Sequence, residues 1–313
     1  MKCFNFILFF IGILIGNPGS SYYYGNNARS LSLSSAVVAN QYQTFQSFSN
    51  PALLSQCKNT NYGLSYFIMS QDRSIQTFYF SRGLAGNAGV SIAILRTTIG
   101  EFMGKDSFNN ETRELSASDY YGLLSFGLGD NKKNGIGLSM RVHYSNLYVN
   151  ELHSDKHTGS SITVDLGGVF SIYPYWQIGI KAQNAINRSL TWDINLGDGL
   201  SHTYDEEYPF MLVIGSSLDI YNTGNLMVQK DFYFSEFEKR ETYHQFFRFG
   251  YEHFISKKFK LRFGLQEKNN FHFGFGYAFS IIEKLPLVLD YSLDLGSENE
   301  GISHLFSWSF NLE

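Results

Sequence analysis

The chain has 313 residues and a formal net charge of −4, from 24 Lys and Arg against 28 Asp and Glu. Charged residues make up 17% of it, below the roughly 25% of an ordinary soluble domain, while aromatic residues also reach 17% and glycines number 29. This balance excludes a basic nucleic-acid-binding surface. The lack of an apolar run of about 18 residues argues against a helical membrane protein. An all-β chain is expected, and no nucleic-acid partner.

The first twenty residues have the order of a secretory leader. Lys2 is followed by an apolar stretch from Phe4 to Ile15 and then by small and polar residues up to Ser20. This order predicts a signal peptide over residues 1–20, removed near Ser21. The alternative is an N-terminal anchor, which is disfavoured because about 12 apolar residues do not span a hydrocarbon core of about 30 Å.

Residues 21–60 show no clean alternation. They contain the apolar run Ala36–Ala39 and the sequence Asn50-Pro51-Ala52-Leu53-Leu54, whose Asn-Pro pair indicates a turn. A barrel of fourteen strands encloses a bore that side chains alone do not readily fill. We therefore predict that 21–60 forms a plug inside a barrel; a loose periplasmic tail is the alternative.

From residue 61 to the end, apolar residues recur at every second position, which is the period of a β-strand. Ile136, Leu138, Met140 and Val142 alternate with small or polar residues in this way. The pattern predicts a transmembrane antiparallel up-and-down barrel over 61–313, with fourteen strands near 61–70, 74–83, 86–96, 119–129, 135–145, 161–172, 176–184, 208–220, 223–233, 243–254, 259–267, 270–280, 286–295 and 302–312.

The connections between these strands alternate in length. Those after even-numbered strands are short, whereas 97–118, 146–160 and 185–207 are long and polar. Outer-membrane barrels have short periplasmic turns and longer outside loops, so we predict an outer-membrane protein with both termini in the periplasm. Lys230 is the main charge on the apolar face; it is expected near an interface or at a register-shifting bulge. A secreted soluble β-protein is the alternative.

Tyrosines and tryptophans near the strand ends favour membrane interfaces, although aromatic residues are also ordinary strand formers. The candidates for such an aromatic belt are Tyr62, Tyr144, Tyr173, Tyr175, Trp176, Tyr208, Tyr221, Tyr251, Tyr277 and Trp308.

A family resemblance rests on several motifs in order. The run from Arg29 to Ala39, RSLSLSSAVVA, is followed by Asn50-Pro51-Ala52-Leu53 and then by Asp165-Leu166-Gly167, Pro209-Phe210, Phe249-Gly250-Tyr251-Glu252 and Leu289-Asp290-Tyr291-Ser292. This order resembles the FadL-like barrels of the PorV/PorQ group, although serines stand at 32–35 where glycines are common. The resemblance implies fourteen strands and an N-terminal plug, with Arg29, Ala36, Ala39, Asn50, Pro51, Ala52 and Leu53 as plug or gate residues.

Charges also fall on the predicted lumen face. The candidates for a charge network are Arg141, His143, Asp165, Lys181, Asp219, Asp231, Arg248, Glu252, Arg262 and Asp290. Because buried charges need partners, we expect ion pairs that stiffen the wall and anchor the plug. A pathway for a polar or amphipathic solute is the second interpretation. Catalysis is the third, and no GxSxG motif supports it, so an enzyme is not expected.

Two loops carry weaker signals. His153, Asp155 and His157 have a spacing that could hold a metal ion, though a solvated loop is the better interpretation. The segment 193–207 is acidic and could attract a divalent cation or a basic partner. No phosphate-binding loop is present, and no cofactor is expected.

Two functions follow as hypotheses. The first is a transporter or channel for a hydrophobic or amphipathic solute, with the plug as gate; it expects an apolar pocket above the plug and a gap or kink in the wall. The second, which follows the resemblance, is a binding scaffold in a type IX secretion or envelope-assembly system; it expects a sealed lumen. The expected partners are outer-membrane lipid and either a hydrophobic ligand or secretion-system proteins. An adhesin is a more distant third.

Overall fold

A computed structural model of the chain describes residues 25–312, apart from 43, 106–107, 151–154, 196–200, 222, 238–239, 268–269, 283–284 and 297–300. It contains the helices α1 (Ala28–Ser32) and α2 (Gln46–Ser49) and a 3-10 helix (Pro51–Gln56). None of the described helices is long and apolar enough to cross a membrane. The strands are β1 Thr60–Ile68, β2 Arg73–Leu84, β3 Ala88–Lys105, β4 Glu111–Gly129, β5 Gly135–Asn150, β6 Asp155–Tyr173, β7 Trp176–Ile186, β8 Ser189–Asn195, β9 Ser201–Glu207, β10 Phe210–Ile220, β11 Gly224–Phe237, β12 Arg240–Phe254, β13 Phe259–Gln266, β14 Asn270–Ile282, β15 Leu285–Asp294 and β16 Ser303–Leu312.

Fourteen of these strands close into one antiparallel barrel, as predicted. Each pairs with its neighbours in the chain, β7 pairs with β10, and β16 returns to β1 with Tyr62 opposite Phe310. The strands β8 and β9 lie outside this ring as a hairpin. One end of the barrel carries the short connections after β2, β4, β6, β10, β12 and β14, and also Thr60 and Leu312. This end is called the short-turn end below.

The two faces of the wall differ in the way the alternation predicts. Along β5, Leu138 is 48% exposed and Met140 39%, whereas Ser139 and Arg141 between them are 0% and 2% exposed. Large exposed apolar side chains occur on the outward face of nearly every described strand of the ring. A soluble monomer rarely exposes so large an apolar surface. The wall therefore has an apolar outside and a polar, crowded inside.

Lys230 lies on the outward face within a regular register. It stands opposite Ile214 on one side and Phe247 on the other, without a shift in either ladder. The alternative of a bulge at this residue is therefore wrong, and the alternative of a position near an interface stays a prediction. Its ammonium lies 5.4 Å from the ring centre of Phe232, where the aromatic face attracts a cation.

Two of the predicted long loops are mostly strand. β3 continues to Lys105 and β4 begins at Glu111, and β5 and β6 likewise extend to Asn150 and from Asp155. Between β3 and β4 the alternation fades because bulges at Ile99/Phe102 and Met103/Lys105 break its register, whereas the β5–β6 ladder runs to Val149 and Asp155 without a shift. The prediction that 97–118 and 146–160 are loops is therefore wrong for most of their residues, and 185–207 contains the β8–β9 hairpin.

The wall has an irregular junction between β6 and β7. Val164 pairs with Ile186 but Leu166 pairs with Ala182, so the extra residues of β7 lie opposite Asp165. Asn184 there has a left-handed backbone with φ 54°, and its N–H donates to Asp165 Oδ1 at 2.9 Å. Beyond this bulge the chain leaves the ring, and β8 takes the place of β7 beside β6 at Thr158–Ser160.

Candidate functional site

The segment from Gly25 to Cys57, called the inner segment below, lies inside the barrel. Asn27 caps α1 by accepting the N–H of Ser30, and Asn50 caps the 3-10 helix by accepting the N–H of Ala52, with Pro51 at the first helical position. Nearly all of its described residues are buried. Its position agrees with the predicted plug, although the function of a plug and the boundaries 21–60 stay predictions.

Glycines of the wall make room for the inner segment. A Cβ added to Gly127 would lie 2.7 Å from the carbonyl oxygen of Pro51, and one added to Gly63 would lie 2.5 Å from the ring of Phe45. The same holds around most of the ring, at Gly83, Gly89, Gly129, Gly135, Gly137, Gly167, Gly179, Gly215, Gly250, Gly264 and Gly274. This glycine belt lets the backbone of the inner segment approach the strands closely.

One side of the lumen is apolar. Phe45 and Phe48 of the inner segment pack against inward side chains of β1 to β4 and β16, and the cluster also includes Phe67, Ile75, Tyr79, Leu95, Tyr121, Leu123 and Leu305. The ring centre of Phe45 lies 5.3 Å from that of Tyr79, and Phe48 meets Tyr121 edge-on at 6.2 Å. Phe45 has a left-handed backbone with φ 61°, a conformation that costs free energy in a non-glycine residue. The cluster's packing compensates for that strain.

The opposite side of the lumen is charged, and its first network holds the inner segment. Glu252 of β12 accepts from Arg29 at 3.0 Å and from Arg262 at 2.8 Å, and Arg262 donates to Asp290 at 2.7 Å. Tyr42 donates to Asp290 at 3.3 Å and lies under the guanidinium of Arg29 at 4.2 Å. Burial, and then the Asp290 carboxylate, raise the pKa of Tyr42, which therefore keeps its proton for this bond.

A second network lies beside the β6–β7 bulge. Arg141 and Asp165 pair at 2.5 Å with both side chains buried, and Lys181 lies 3.8 Å from the same carboxylate. The ammonium of Lys181 also donates to the carbonyl oxygen of Phe48 at 2.8 Å. The charge on the wall is thereby linked to the segment that carries the two phenylalanines.

A third network joins β11 and β12. Arg248 pairs with Asp231 at 2.6 Å and donates to the carbonyl oxygen of Ser34 at 3.0 Å. Each of the three networks thus ends on a group of the inner segment. A network in which every charge has a partner favours one arrangement, because a displaced segment would leave buried charges unpaired.

The other predicted plug residues contact the wall through packing and amide bonds. Ala36 packs with Met227, Ala39 with Val213, and Ala52 and Leu53 with Val169. The amide nitrogen of Asn50 donates to carbonyl oxygens of Val38, Gly168 and Ile180 at 3.0 to 3.3 Å. Pro51 is buried against Gly137 and Gly167.

Asp219 is placed outside the predicted network, whereas His143 lies in the lumen beside the second network. Asp219 is exposed near the short-turn end, so its inclusion in the buried network is wrong. The alternation along β10 predicts an inward side chain at this position, but the strand ends one residue later. His143 is buried and stacks on Tyr208 at 4.5 Å, and it bonds Thr163 at 3.3 Å. Tyr208 is therefore a lumen residue and not part of an outer aromatic belt.

A Ser–His–Asp series occurs in the lumen. Ser34 Oγ lies 2.8 Å from His272 Nδ1, and His272 Nε2 lies 3.4 Å from Asp294. The hydroxyl is packed against the wall, because a Cβ on Gly264 would lie 2.5 Å from it. The series therefore acts as one more link between the inner segment and the wall.

The metal and acidic-loop predictions have separate outcomes. His153 lies outside the described residues, and within the described part of the chain no three metal-ligand side chains come together. In the acidic hairpin, Asp205 accepts from Thr191 at 2.7 Å, Glu206 from Trp192 at 2.9 Å, and Glu207 pairs with Arg188 at 3.1 Å. These carboxylates stabilise the hairpin; binding of a cation or a basic partner there stays a prediction.

A small polar cavity lies between the inner segment and part of the charged wall. It measures about 70 Å³ and is lined by Asn26, Ser30, Val38 and Phe48 together with Lys181, Gln183, Gln229, Asp231 and Arg248. A cavity known to bind benzene is apolar and measures about 150 Å³. The small polar cavity therefore does not provide the apolar pocket that the transporter hypothesis expects.

No protein-family model matches the chain, and no curated protein matches its sequence. Its fold is similar to solved structures. The Pseudomonas putida toluene transporter TodX is 12% identical, with 92% of this chain and 97% of that one covered and a TM-score of 0.61. The monoaromatic hydrocarbon channel CymD is 10% identical over the same shares, at 0.61. A Pseudomonas aeruginosa FadL homologue is 9% identical over 92% and 98%, also at 0.61. The chain therefore has the fold of FadL-like barrels.

Proposed function

We propose that this chain is an outer-membrane barrel that transports a hydrophobic or amphipathic solute, with the inner segment as its gate. The observation that carries the proposal is a closed wall with an apolar outside and a lumen filled by the chain's own N-terminal segment. The fold that it shares with the toluene transporter TodX and the hydrocarbon channel CymD supports it.

The membrane location rests on the outer face. Each Leu, Ile or Phe that is fully transferred out of water gains about 1.5 to 3 kcal/mol, and the outward side chains can gain it only by contact with lipid. Closed barrels are one of the two structures that satisfy all backbone groups in hydrocarbon. If the short-turn end faces the periplasm, the start of β1 and the end of β16 lie there too, as is usual for outer-membrane barrels.

The route is inferred from the apolar side of the lumen. Phe45 and Phe48 fill the only large apolar cluster described inside the barrel, so a hydrophobic solute would have to take their place against Tyr79 and Tyr121. The strained backbone of Phe45 lowers the cost of its release. The bulge between β6 and β7 supplies the wall irregularity that the transport hypothesis expects.

Truncating both phenylalanines should open this route. We expect Phe45→Ala with Phe48→Ala to raise the flux of toluene or octanoate into vesicles several-fold, because two buried rings are removed from the cluster. The measurement uses radiolabelled solute and cyclodextrin trapped inside the vesicles. Phe126→Ala, on the outward face, is the control and should leave the flux unchanged.

The transport proposal is contradicted if wild-type vesicles take up neither solute faster than protein-free vesicles and the double variant does not change this. Heat-modifiable migration on gels shows whether each variant is folded.

A scaffold in a type IX secretion or envelope-assembly system is the second candidate. The three charged networks that fix the inner segment favour it, because a permanently filled lumen would leave the loops and rims as working surfaces. Extraction in mild detergent followed by mass spectrometry separates the two candidates. A copurified fatty acid without any protein counts against the scaffold.

A further inference from the structure

The outer face of β12, β13 and β14 contains an apolar notch near the short-turn end. It measures about 290 Å³ and is lined by Tyr251, His253, Leu261, Phe263 and Phe273. Tyr251, Phe263 and Phe273 stand side by side in one row of the ladder, and the last two rings lie 5.4 Å apart. Its volume is about twice that of a cavity that holds benzene.

The turn that ends these strands carries two cations. Lys257 and Lys258 are both exposed in the connection from β12 to β13. The turn is fixed, because Ser256 Oγ accepts the N–H groups of Lys258 and Phe259 at 3.3 and 3.0 Å, and the carbonyl oxygen of Lys258 accepts from Ala278 at 2.8 Å. The backbone of both lysines is therefore held at a defined place beyond the notch, from which their exposed side chains extend.

The distance between notch and cations matches the layers of a lipid. Tyr251 in the aromatic row is three residues from Phe254, where β12 ends, and a strand tilted at about 45° rises about 2.3 Å per residue along the membrane normal. The turn with Lys257 and Lys258 thus begins about 7 Å beyond the aromatic row, at the level of a headgroup layer. His253 lies between them, with its Nδ1 3.2 Å from the hydroxyl of Tyr251, which places polar atoms at the level of ester groups.

We propose that this surface binds one anionic glycerophospholipid of the leaflet at the short-turn end. One acyl chain lies over Phe263 and Phe273, and the phosphate is held by Lys257 and Lys258. The inference rests on the proposed membrane location. Anionic headgroups are attracted to lysines near the surface, whereas a zwitterionic lipid with the same acyl chains gains the apolar contact alone.

The chain supplies a matched control in its β4–β5 turn. Lys132 and Lys133 are also adjacent and exposed at the same end. Above them the outer face carries Leu128 and Ile136, which project from the wall with 48% and 64% exposure. Asp130 beside them also offsets part of their charge. Lys132→Gln with Lys133→Gln therefore removes equal charge from the rim without touching the notch.

The test counts lipids on the full mature chain by native mass spectrometry in neutral detergent, with phosphatidylglycerol and phosphatidylcholine of identical acyl chains as probes. We expect one phosphatidylglycerol to bind more tightly than phosphatidylcholine. Lys257→Gln with Lys258→Gln should weaken phosphatidylglycerol about tenfold and leave phosphatidylcholine unchanged. Phe263→Ala with Phe273→Ala should weaken both lipids.

The lipid site would be overturned if the wild type bound the two lipids equally. It would also be overturned if Lys132→Gln with Lys133→Gln weakened phosphatidylglycerol binding as much as Lys257→Gln with Lys258→Gln. Either result leaves the transport proposal standing if the solute flux persists. A chain that needs no amphiphile to stay in solution would instead refute the membrane location, so the two failures are distinguishable.

Discussion

Replacing Glu252 with glutamine is expected to lower the free energy of unfolding by about 3 to 5 kcal/mol, the usual effect of removing one partner from a buried ion pair. Glu252 is 1% exposed and bonds Arg29, Arg262 and Asn225. Glutamine keeps its shape but removes the charge that both guanidinium groups share. Arg29 would then be a buried cation without an ionic partner among the contacts shown. Urea unfolding in detergent, followed by tryptophan fluorescence, measures the loss.

The exposed pair Arg188–Glu207 is the control for this substitution. Its side chains are 35% and 47% exposed, so water and salt screen the charges. Glu207→Gln should cost no more than about 1 kcal/mol. If the free energy of unfolding of Glu252→Gln lies within about 0.5 kcal/mol of the wild-type value, the charged network does not hold the inner segment. The double variant Arg29→Gln with Glu252→Gln should lose less unfolding free energy than the two single variants lose together, because the two residues are in contact.

Gly127→Val is expected to displace the inner segment from the wall. A Cβ at this position would lie 2.7 Å from the carbonyl oxygen of Pro51 and 2.9 Å from the amide nitrogen of Ser55, and backbone atoms yield less readily than a side-chain tip. Overpacking of this kind costs about 1 to 3 kcal/mol. Gly122→Val in the same strand is the control, because nothing lies within 4 Å of its added Cβ.

Cys57 reports the displacement. Its thiol is 5% exposed, and burial raises its pKa, so the reactive thiolate is scarce and shielded. In a Cys3→Ser background, maleimide should label Cys57 slowly in the parent protein and in Gly122→Val, and at least about tenfold faster in Gly127→Val. Equal labelling rates in the three proteins would show that the glycine belt is not needed to seat the inner segment.

The strands were predictable because each face of the wall has one chemistry. The predicted strands agree with the ladder to within a few residues over most of the ring, for example 176–184 for β7, Trp176–Ile186. The prediction failed at the ends of β3 to β6 that lie away from the short-turn end. Bulges shift the alternation between β3 and β4, whereas the β5–β6 ladder is regular there and its residues 155–160 are polar. The prediction also failed at the β8–β9 hairpin, whose polar residues do not distinguish a ladder from a loop.

The lumen was less predictable because its contacts join residues far apart in the chain. Strand parity identifies Glu252 and Arg262 as inward residues, but nothing in the sequence pairs them with Arg29. Phe45 and Phe48 were missed although their spacing of three residues is that of one helical face. The apolar half of the lumen was missed because Phe67, Leu95 and Leu123 occur in strands whose outward faces are apolar too.

The central claim is that the outward face meets hydrocarbon. It is tested by a fluorescent probe on a single cysteine at Leu138, in a Cys3→Ser, Cys57→Ser background, with the protein in vesicles. Lipids brominated in their acyl chains should quench the probe at Leu138, and aqueous iodide should not; a probe at Lys132 should show the reverse. Iodide quenching at Leu138 as strong as at Lys132 would contradict the account.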